Sequence, residues 1–175
     1  MSRIPRDAMA RALIATQAMG RQQKEQLADE VFRAQPNLLG SVVVLPRLGV
    51  ALSKVDFALD MLFIFFLAMK ESGLTWPVIT EDDQDRQLRR FTAISRFTDD
   101  LSDDLRVRSM QQYIADHPEK ELLAYVTVET NKWMARSVPE ESDKYAMLAI
   151  WNLVNCIAFV ALPGSKGKIR GGRVK

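Results

Sequence analysis

The chain has 175 residues, a length typical of one compact domain. Its hydrophobic content of 47% and charged content of 26% exclude a wholly disordered chain, a collagen-like chain and a disulfide-stapled miniprotein. The 24 basic and 22 acidic residues give a formal net charge of +2, which is too near balance to indicate a polyanion-binding domain by itself.

The first predicted element is helical. Apolar residues at a spacing of about 3.5 predict one long helix or two short helices from about Pro5 to Ala34. The first twenty residues lack the continuous apolar block of a secretory signal peptide. We therefore expect a cytoplasmic protein.

The second region is the most apolar large block of the chain. Because a proline and two glycines interrupt its first half, we predict a short element over Leu38–Leu45 and then a helix from about Leu48 to Lys70. Within that helix Ser53, Asp56 and Asp60 form a thin polar stripe. Such a stripe is typical of a solvent-facing edge, and the alternative is a buried carboxylate pair that meets an arginine or a metal.

Capping signals mark the remaining helices. Thr80, followed by three acidic residues, predicts a helix start, and Ser102 predicts a break with a fresh start. Pro118 and Pro139 open two further helices, and the last one runs to about Leu162.

These elements predict an all-α protein. We expect a single compact bundle of about six or seven helices over residues 1–162, with the apolar C-terminal helix at its centre. Residues 163–175 form a basic, glycine-rich tail.

Two side chains that occur only once limit the chemistry. Cys156 lies in an apolar run, which favours a small buried hydrophobe over a reactive thiol. His117 precedes a proline, which predicts a position at a helix boundary. Neither a phosphate-binding loop nor a dinucleotide-binding glycine motif is present. We therefore expect no cofactor, no metal and no catalytic residue.

A membrane segment is an alternative for the C-terminal helix. Residues 145–162 are 18 residues long, contain only two strongly polar side chains and precede a basic tail, which meets the minimum for a spanning helix. A core helix of a globular bundle has the same pattern, and we favour that interpretation both for this segment and for the apolar residues 50–69.

The densest acidic cluster permits a different alternative. Asp99, Asp100, Asp103 and Asp104 contain the pattern D-D-x-x-D, which resembles the magnesium-binding motif of all-α prenyl-diphosphate enzymes. The resemblance implies a magnesium-dependent diphosphate hydrolase or transferase, since clustered carboxylates suit that ion. Possible second acidic helices, at Glu119 and Glu121 or at 140–143, begin helices, where capping also explains their acidic residues.

The distribution of charge is more informative than any motif. Residues 1–24 carry a net charge of +4, residues 80–143 carry −6, and residues 163–175 carry +5. A glycine-interrupted basic tail can lie along a phosphate backbone with little sequence specificity, and it lacks an aromatic residue for base stacking. The candidate binding residues in this tail are Lys166, Lys168, Arg170, Arg173 and Lys175.

These observations predict a non-enzymatic, all-α interaction subunit of a larger protein or nucleoprotein assembly. Its helical body would contact protein partners. Its basic ends would contact nucleic acid or an acidic protein surface.

Overall fold

A computed structural model describes residues 2–99 and 102–163, with no side-chain description at 95–99, 103, 106, 107 and 110. Over these residues the protein is all-helical, as the periodicity predicts. Eight α-helices and one short 3₁₀ helix follow in chain order: α1 (Arg6–Ala18), α2 (Arg21–Ala34), α3 (Pro36–Val43), the 3₁₀ helix (Leu45–Leu48), α4 (Leu52–Glu71), α5 (Glu81–Asp99), α6 (Asp103–Asp116), α7 (Lys120–Arg136) and α8 (Asp143–Phe159).

The first predicted helical stretch is two helices. They separate at Gly20, whose backbone N–H donates a hydrogen bond to the side chain of Gln23 at 2.9 Å. This contact satisfies one of the free N–H groups at the start of α2. The structure therefore decides between the two alternatives that the spacing leaves open.

The apolar block begins with α3 and the 3₁₀ helix, and it contains no strand within the described residues. Pro36 opens α3 at a position where its missing N–H is harmless. Gly49 then adopts a left-handed φ of 85°, which a residue with a side chain rarely does. This turn delays the start of α4 to Leu52, four residues after the predicted start.

Two helices, not one, form the centre of the bundle. α4 packs against α1, α2, α3 and α8, and α8 packs against α3, α4, α5 and α7. Twelve of the 20 residues of α4 are buried. The sequence predicts a core position for both apolar segments, and the structure places α4 at the centre beside the C-terminal helix. The largest fully buried side chains on these two helices are Leu62, Phe65, Met69, Ile150, Leu153 and Ile157.

The predicted start of α5 is confirmed by reciprocal hydrogen bonds. The backbone N–H of Asp83 donates to Thr80 Oγ1 at 3.1 Å, and the backbone N–H of Thr80 donates to Asp83 Oδ2 at 3.1 Å. This is the capping-box arrangement, with an aspartate in the place of the usual glutamate. The helix that begins here packs against α8.

The last helix is shorter than the sequence predicts. α8 begins at Asp143 because residues 141 and 142 form a turn before it, and the backbone N–H of Glu140 donates to Asp143 Oδ2 at 2.9 Å. It ends at Phe159 and has 17 residues. Among the residues that the structure describes, no helix is long and apolar enough to cross a membrane.

Candidate functional site

The residues predicted to bind a partner lie outside the part of the chain that the structure describes. They are Lys166, Lys168, Arg170, Arg173 and Lys175. The contribution of the basic tail to binding therefore stays a prediction.

The acidic cluster lies mostly outside the described residues as well. Asp100 is not described, and the backbone of Asp99 and Asp103 is described without their side chains. Asp104 is exposed near the start of α6. In the described part of the chain, no group of three or more histidine, cysteine or acidic residues could hold a metal ion.

Glu119 has a role that capping does not explain. Its buried carboxylate accepts hydrogen bonds from the hydroxyl of Ser2 at 2.5 Å and from the backbone N–H groups of Arg3 and Ile4 at 2.8 and 3.2 Å. It makes no capping hydrogen bond to its own helix. Glu119 is the N-cap residue of α7, at the predicted helix start, but its side chain holds the N-terminal segment and does not cap the helix.

The same segment also holds the end of α8. The guanidinium of Arg3 donates hydrogen bonds to the backbone oxygens of Ile157 and Val160 at 3.3 and 2.6 Å. A cation at these carbonyl groups offsets the negative end of the helix dipole. Arg3 therefore serves the packing of α8.

The acidic residues before α8 hold a buried lysine. Lys54 Nζ lies 2.6 Å from Asp143 Oδ1 and 2.7 Å from Glu140 Oε2, and it donates to the backbone oxygen of Val138 at 2.9 Å. Desolvation opposes the charge of this ammonium, but the hydrogen bonds to both carboxylates outweigh it and raise the pKa of Lys54. This contact joins the start of α4 to the start of α8.

His117 lies at the end of α6, as predicted, inside a buried polar cluster. Its Nδ1 accepts a hydrogen bond from the backbone N–H of Glu119 at 3.1 Å, so the neutral ring carries its proton on Nε2 and donates it to Asn155 Oδ1 at 3.1 Å. The hydroxyl of Tyr113 donates to the same oxygen at 2.7 Å. Burial lowers the pKa of His117, against the opposing effect of the Asn155 hydrogen bond.

Cys156 is a buried hydrophobe, as its sequence context predicts. Only 1% of its surface is exposed, and burial, together with the charge of Asp83, raises its pKa to about 12. A thiol with such a pKa is almost entirely protonated at neutral pH, and the protonated thiol is a poor nucleophile.

A concave apolar surface, the α3–α8 groove, opens between α3, the 3₁₀ helix, α5 and α8. Its volume is about 270 Å³. The rim exposes large apolar side chains to solvent, among them Leu48 and Tyr145. Its walls are mainly aliphatic: Val44, Leu45, Leu48, Leu88, Leu148 and Ala149.

Two amide side chains that line this groove contain unsatisfied polar atoms. Asn152 Nδ2 donates to the backbone oxygen of Gln84 at 3.1 Å, but Asn152 Oδ1 and Gln84 Nε2 are buried without hydrogen-bond partners. An unsatisfied buried polar atom costs about 1–3 kcal/mol. The wall of the groove therefore retains one unused acceptor and one unused donor.

A second concave surface, the α1–α7 cleft, lies between α1, α4 and α7, with Lys24 of α2 at its edge. Its volume is about 330 Å³. Asp60 pairs with Lys24 at 2.7 Å, while Ser53 and Asp56 are exposed. The polar stripe of α4 is thus a solvent-facing edge at its first two positions, and its third position faces this cleft.

Comparison with known proteins does not name a function. No protein-family model, curated protein or solved structure matches the chain. Function must therefore be inferred from its own geometry.

Neither of the two concave surfaces is predicted from the sequence. One signal for the groove was available: Val42, Val43, Val44 and Leu45 are four consecutive apolar residues, and one face of a short helix cannot bury all of them. Val42 and Leu45 are buried, whereas Val43 and Val44 are exposed. The cleft had no comparable signal, because its residues are far apart in the chain.

Proposed function

We propose that this protein is a non-enzymatic interaction subunit of a larger protein or nucleoprotein assembly. The α3–α8 groove would contact a protein neighbour, and the basic ends would contact nucleic acid or an acidic protein surface. The observation that carries the proposal is the apolar groove with its exposed apolar rim.

Exposed apolar side chains next to one another favour a binding role for the groove. Val44, Leu48 and Tyr145 line this surface, and each is more than one-third exposed. Contiguous exposed apolar surface costs free energy in water and is typical of interaction sites. The rim thus supports contact with a partner.

The groove is large enough to receive side chains of a protein partner. Its volume is about 270 Å³. A groove of this size suits one or two large side chains, and such buried anchors dominate the energetics of protein interfaces.

The charge of the tail supports the nucleic-acid contact. Residues 163–175 carry five basic and no acidic side chains. If all five contacted phosphates of duplex DNA, log K would fall with log salt at a slope of about −4.5. Without an aromatic residue in the tail, the affinity would depend little on sequence.

Replacement of one rim residue tests the groove. Leu48→Asp places a charge on the rim, and Leu105→Asp on α6 is its matched control, because the two leucines are 47% and 48% exposed. We expect Leu48→Asp to remove a stoichiometric partner from native-level co-purification and Leu105→Asp to retain it. Equal recovery with both variants would contradict the role of the groove.

Deletion of the tail tests the nucleic-acid contact. Fluorescence anisotropy with RNA and with duplex DNA would compare the full chain with a chain that lacks residues 163–175. We expect the full chain to bind with a steep salt dependence and the shortened chain to lose that dependence. If both bind equally weakly at low salt, the tail does not contact nucleic acid.

A further inference from the structure

The α1–α7 cleft combines an apolar floor, aromatic walls and acidic groups. Leu13, Met61 and Ile64 supply apolar surface, and the rings of Phe57 and Tyr125 line the cleft. The carboxylates of Asp60 and Glu129 belong to the same lining, from α4 and α7. Its volume of about 330 Å³ falls within the usual range of small-molecule sites.

Each of the two carboxylates of the cleft pairs with one lysine. Lys24, which belongs to the lining, lies 2.7 Å from Asp60 Oδ1. Glu129 pairs at 2.8 Å with Lys132, which is not part of the lining, and both partners in that pair are partly exposed. A pair of this kind contributes about 0–1 kcal/mol, so the carboxylate of Glu129 remains available to a ligand.

The hydroxyl of Tyr125 is also available. Among the described residues it has no hydrogen-bond partner. Burial and the charges of Glu129 and Asp60 raise its pKa to about 12, so the phenol keeps its proton at neutral pH.

We propose that the α1–α7 cleft binds a small organic cation, a primary ammonium on an apolar body. The ammonium donates hydrogen bonds to the carboxylate of Glu129 and to the oxygen of Tyr125, and the apolar body lies on Met61 and Ile64. The aromatic rings add a cation–π attraction. Lys24 on Asp60 shows that the cleft accommodates an ammonium against a carboxylate. This site is independent of the groove and of the basic tail.

Three probes of similar shape and different charge test the proposal. Phenethylammonium, 2-phenylethanol and phenylacetate would be titrated into the full chain at pH 7 and low salt, followed by NMR shifts of the Tyr125 amide and ring. We expect phenethylammonium to bind with a dissociation constant of about 1 mM or below. Its affinity should exceed that of the alcohol by about tenfold, and phenylacetate should be the weakest of the three.

A matched pair of variants locates the site. Glu129→Gln removes the proposed carboxylate, and Glu141→Gln is its control, because each glutamate pairs with a lysine three residues later. We expect Glu129→Gln to weaken phenethylammonium binding at least fivefold and Glu141→Gln to leave it unchanged. Tyr125→Phe removes only the hydroxyl and should weaken binding to a smaller extent.

Four results would overturn the proposal. The first is no saturation by phenethylammonium up to about 10 mM, and the second is binding of phenylacetate that is as tight as that of phenethylammonium or tighter. The third is unchanged affinity in a folded Glu129→Gln variant. The fourth is tighter binding of N-acetyl-lysine methylamide than of phenethylammonium. The last result would assign the cleft to a lysine side chain of a partner protein.

Discussion

The carboxylate of Glu119 accepts a hydrogen bond from the backbone N–H of Arg3 at 2.8 Å, between residues that are 116 positions apart in the chain. The neighbouring N–H of Ile4 donates to the same carboxylate, and Ile4 itself is fully buried. Because Arg3 also binds the end of α8, this contact joins the N-terminal segment, α7 and α8. It closes one end of the bundle.

Loss of this carboxylate should destabilise the protein. Glu119→Ala leaves the N–H groups of Arg3 and Ile4 without an acceptor, and we expect the free energy of unfolding to fall by about 2–4 kcal/mol. Glu121→Ala is the control: it removes only an exposed ion pair with Arg6, worth about 0–1 kcal/mol. Urea denaturation measures both changes, and similar losses in the two variants would refute the role of Glu119.

The central position of α4 predicts unequal effects of two leucines on that helix. Leu62 is fully buried and Leu52 is 72% exposed. Leu62→Ala should lower the free energy of unfolding by about 2–5 kcal/mol, because it removes buried surface and leaves a cavity. Leu52→Ala should change it by less than about 0.5 kcal/mol. Thermal and urea unfolding measure both changes. Similar losses in the two variants would contradict the central position of α4.

The buried histidine predicts a stability that falls in mild acid. Burial lowers the pKa of His117 from its usual value of 6.5, so between these two pKa values the unfolded chain binds more protons than the folded chain. The contribution of His117 to the free energy of unfolding is therefore complete above pH 6.5. It falls as the pH drops from 6.5 to the folded pKa, and it stays constant below the folded pKa. One proton limits the slope to about 1.4 kcal/mol per pH unit.

His117→Gln provides the control for this pH dependence. The chain has one histidine, so the variant should lose the slope near pH 6 even if it is less stable at every pH. Urea denaturation between pH 5 and 7.5 measures the slope. The assignment to His117 fails if the variant and the parent show the same slope.

The thiol of Cys156 should react only after unfolding. Its pKa of about 12 compares with an ordinary value of 9.0, so the fraction of thiolate is lower by about a thousandfold. Labelling with a thiol-specific disulfide reagent should be slow in buffer and fast in urea. Because Cys156 is the only cysteine, rapid labelling of the folded protein would show that this part of α8 is open.

Local signals explain which predictions were confirmed. The helical spacing, the cap at Thr80 and the proline after His117 all act within a few residues, and backbone hydrogen bonding and capping have the same short range. The all-α class and the position of His117 could therefore be read from the sequence. The observed helix boundaries differ from the predicted ones where a side chain makes an additional contact, as Asp143 does at the turn before α8.

Contacts between distant residues explain what was missed. Glu119 has the sequence context of a helix cap, and only the packing brings Arg3 and Ile4 to its carboxylate. In the sequence Lys54 is a single charged residue on an apolar helix, and only the tertiary structure shows that it forms ion pairs with Glu140 and Asp143. A hydrophobic pattern predicts which face of a helix is buried, but it does not state which partner that face meets.

The sequence by itself determined the helical class, the buried thiol and the separation of charge along the chain, because these depend on residue type and short spacing. The tertiary structure alone decided which helices α4 and α8 contact at the centre, and it alone formed the α3–α8 groove and the α1–α7 cleft. Both surfaces combine side chains from at least three helices. Their chemistry exists only where packing places those helices side by side.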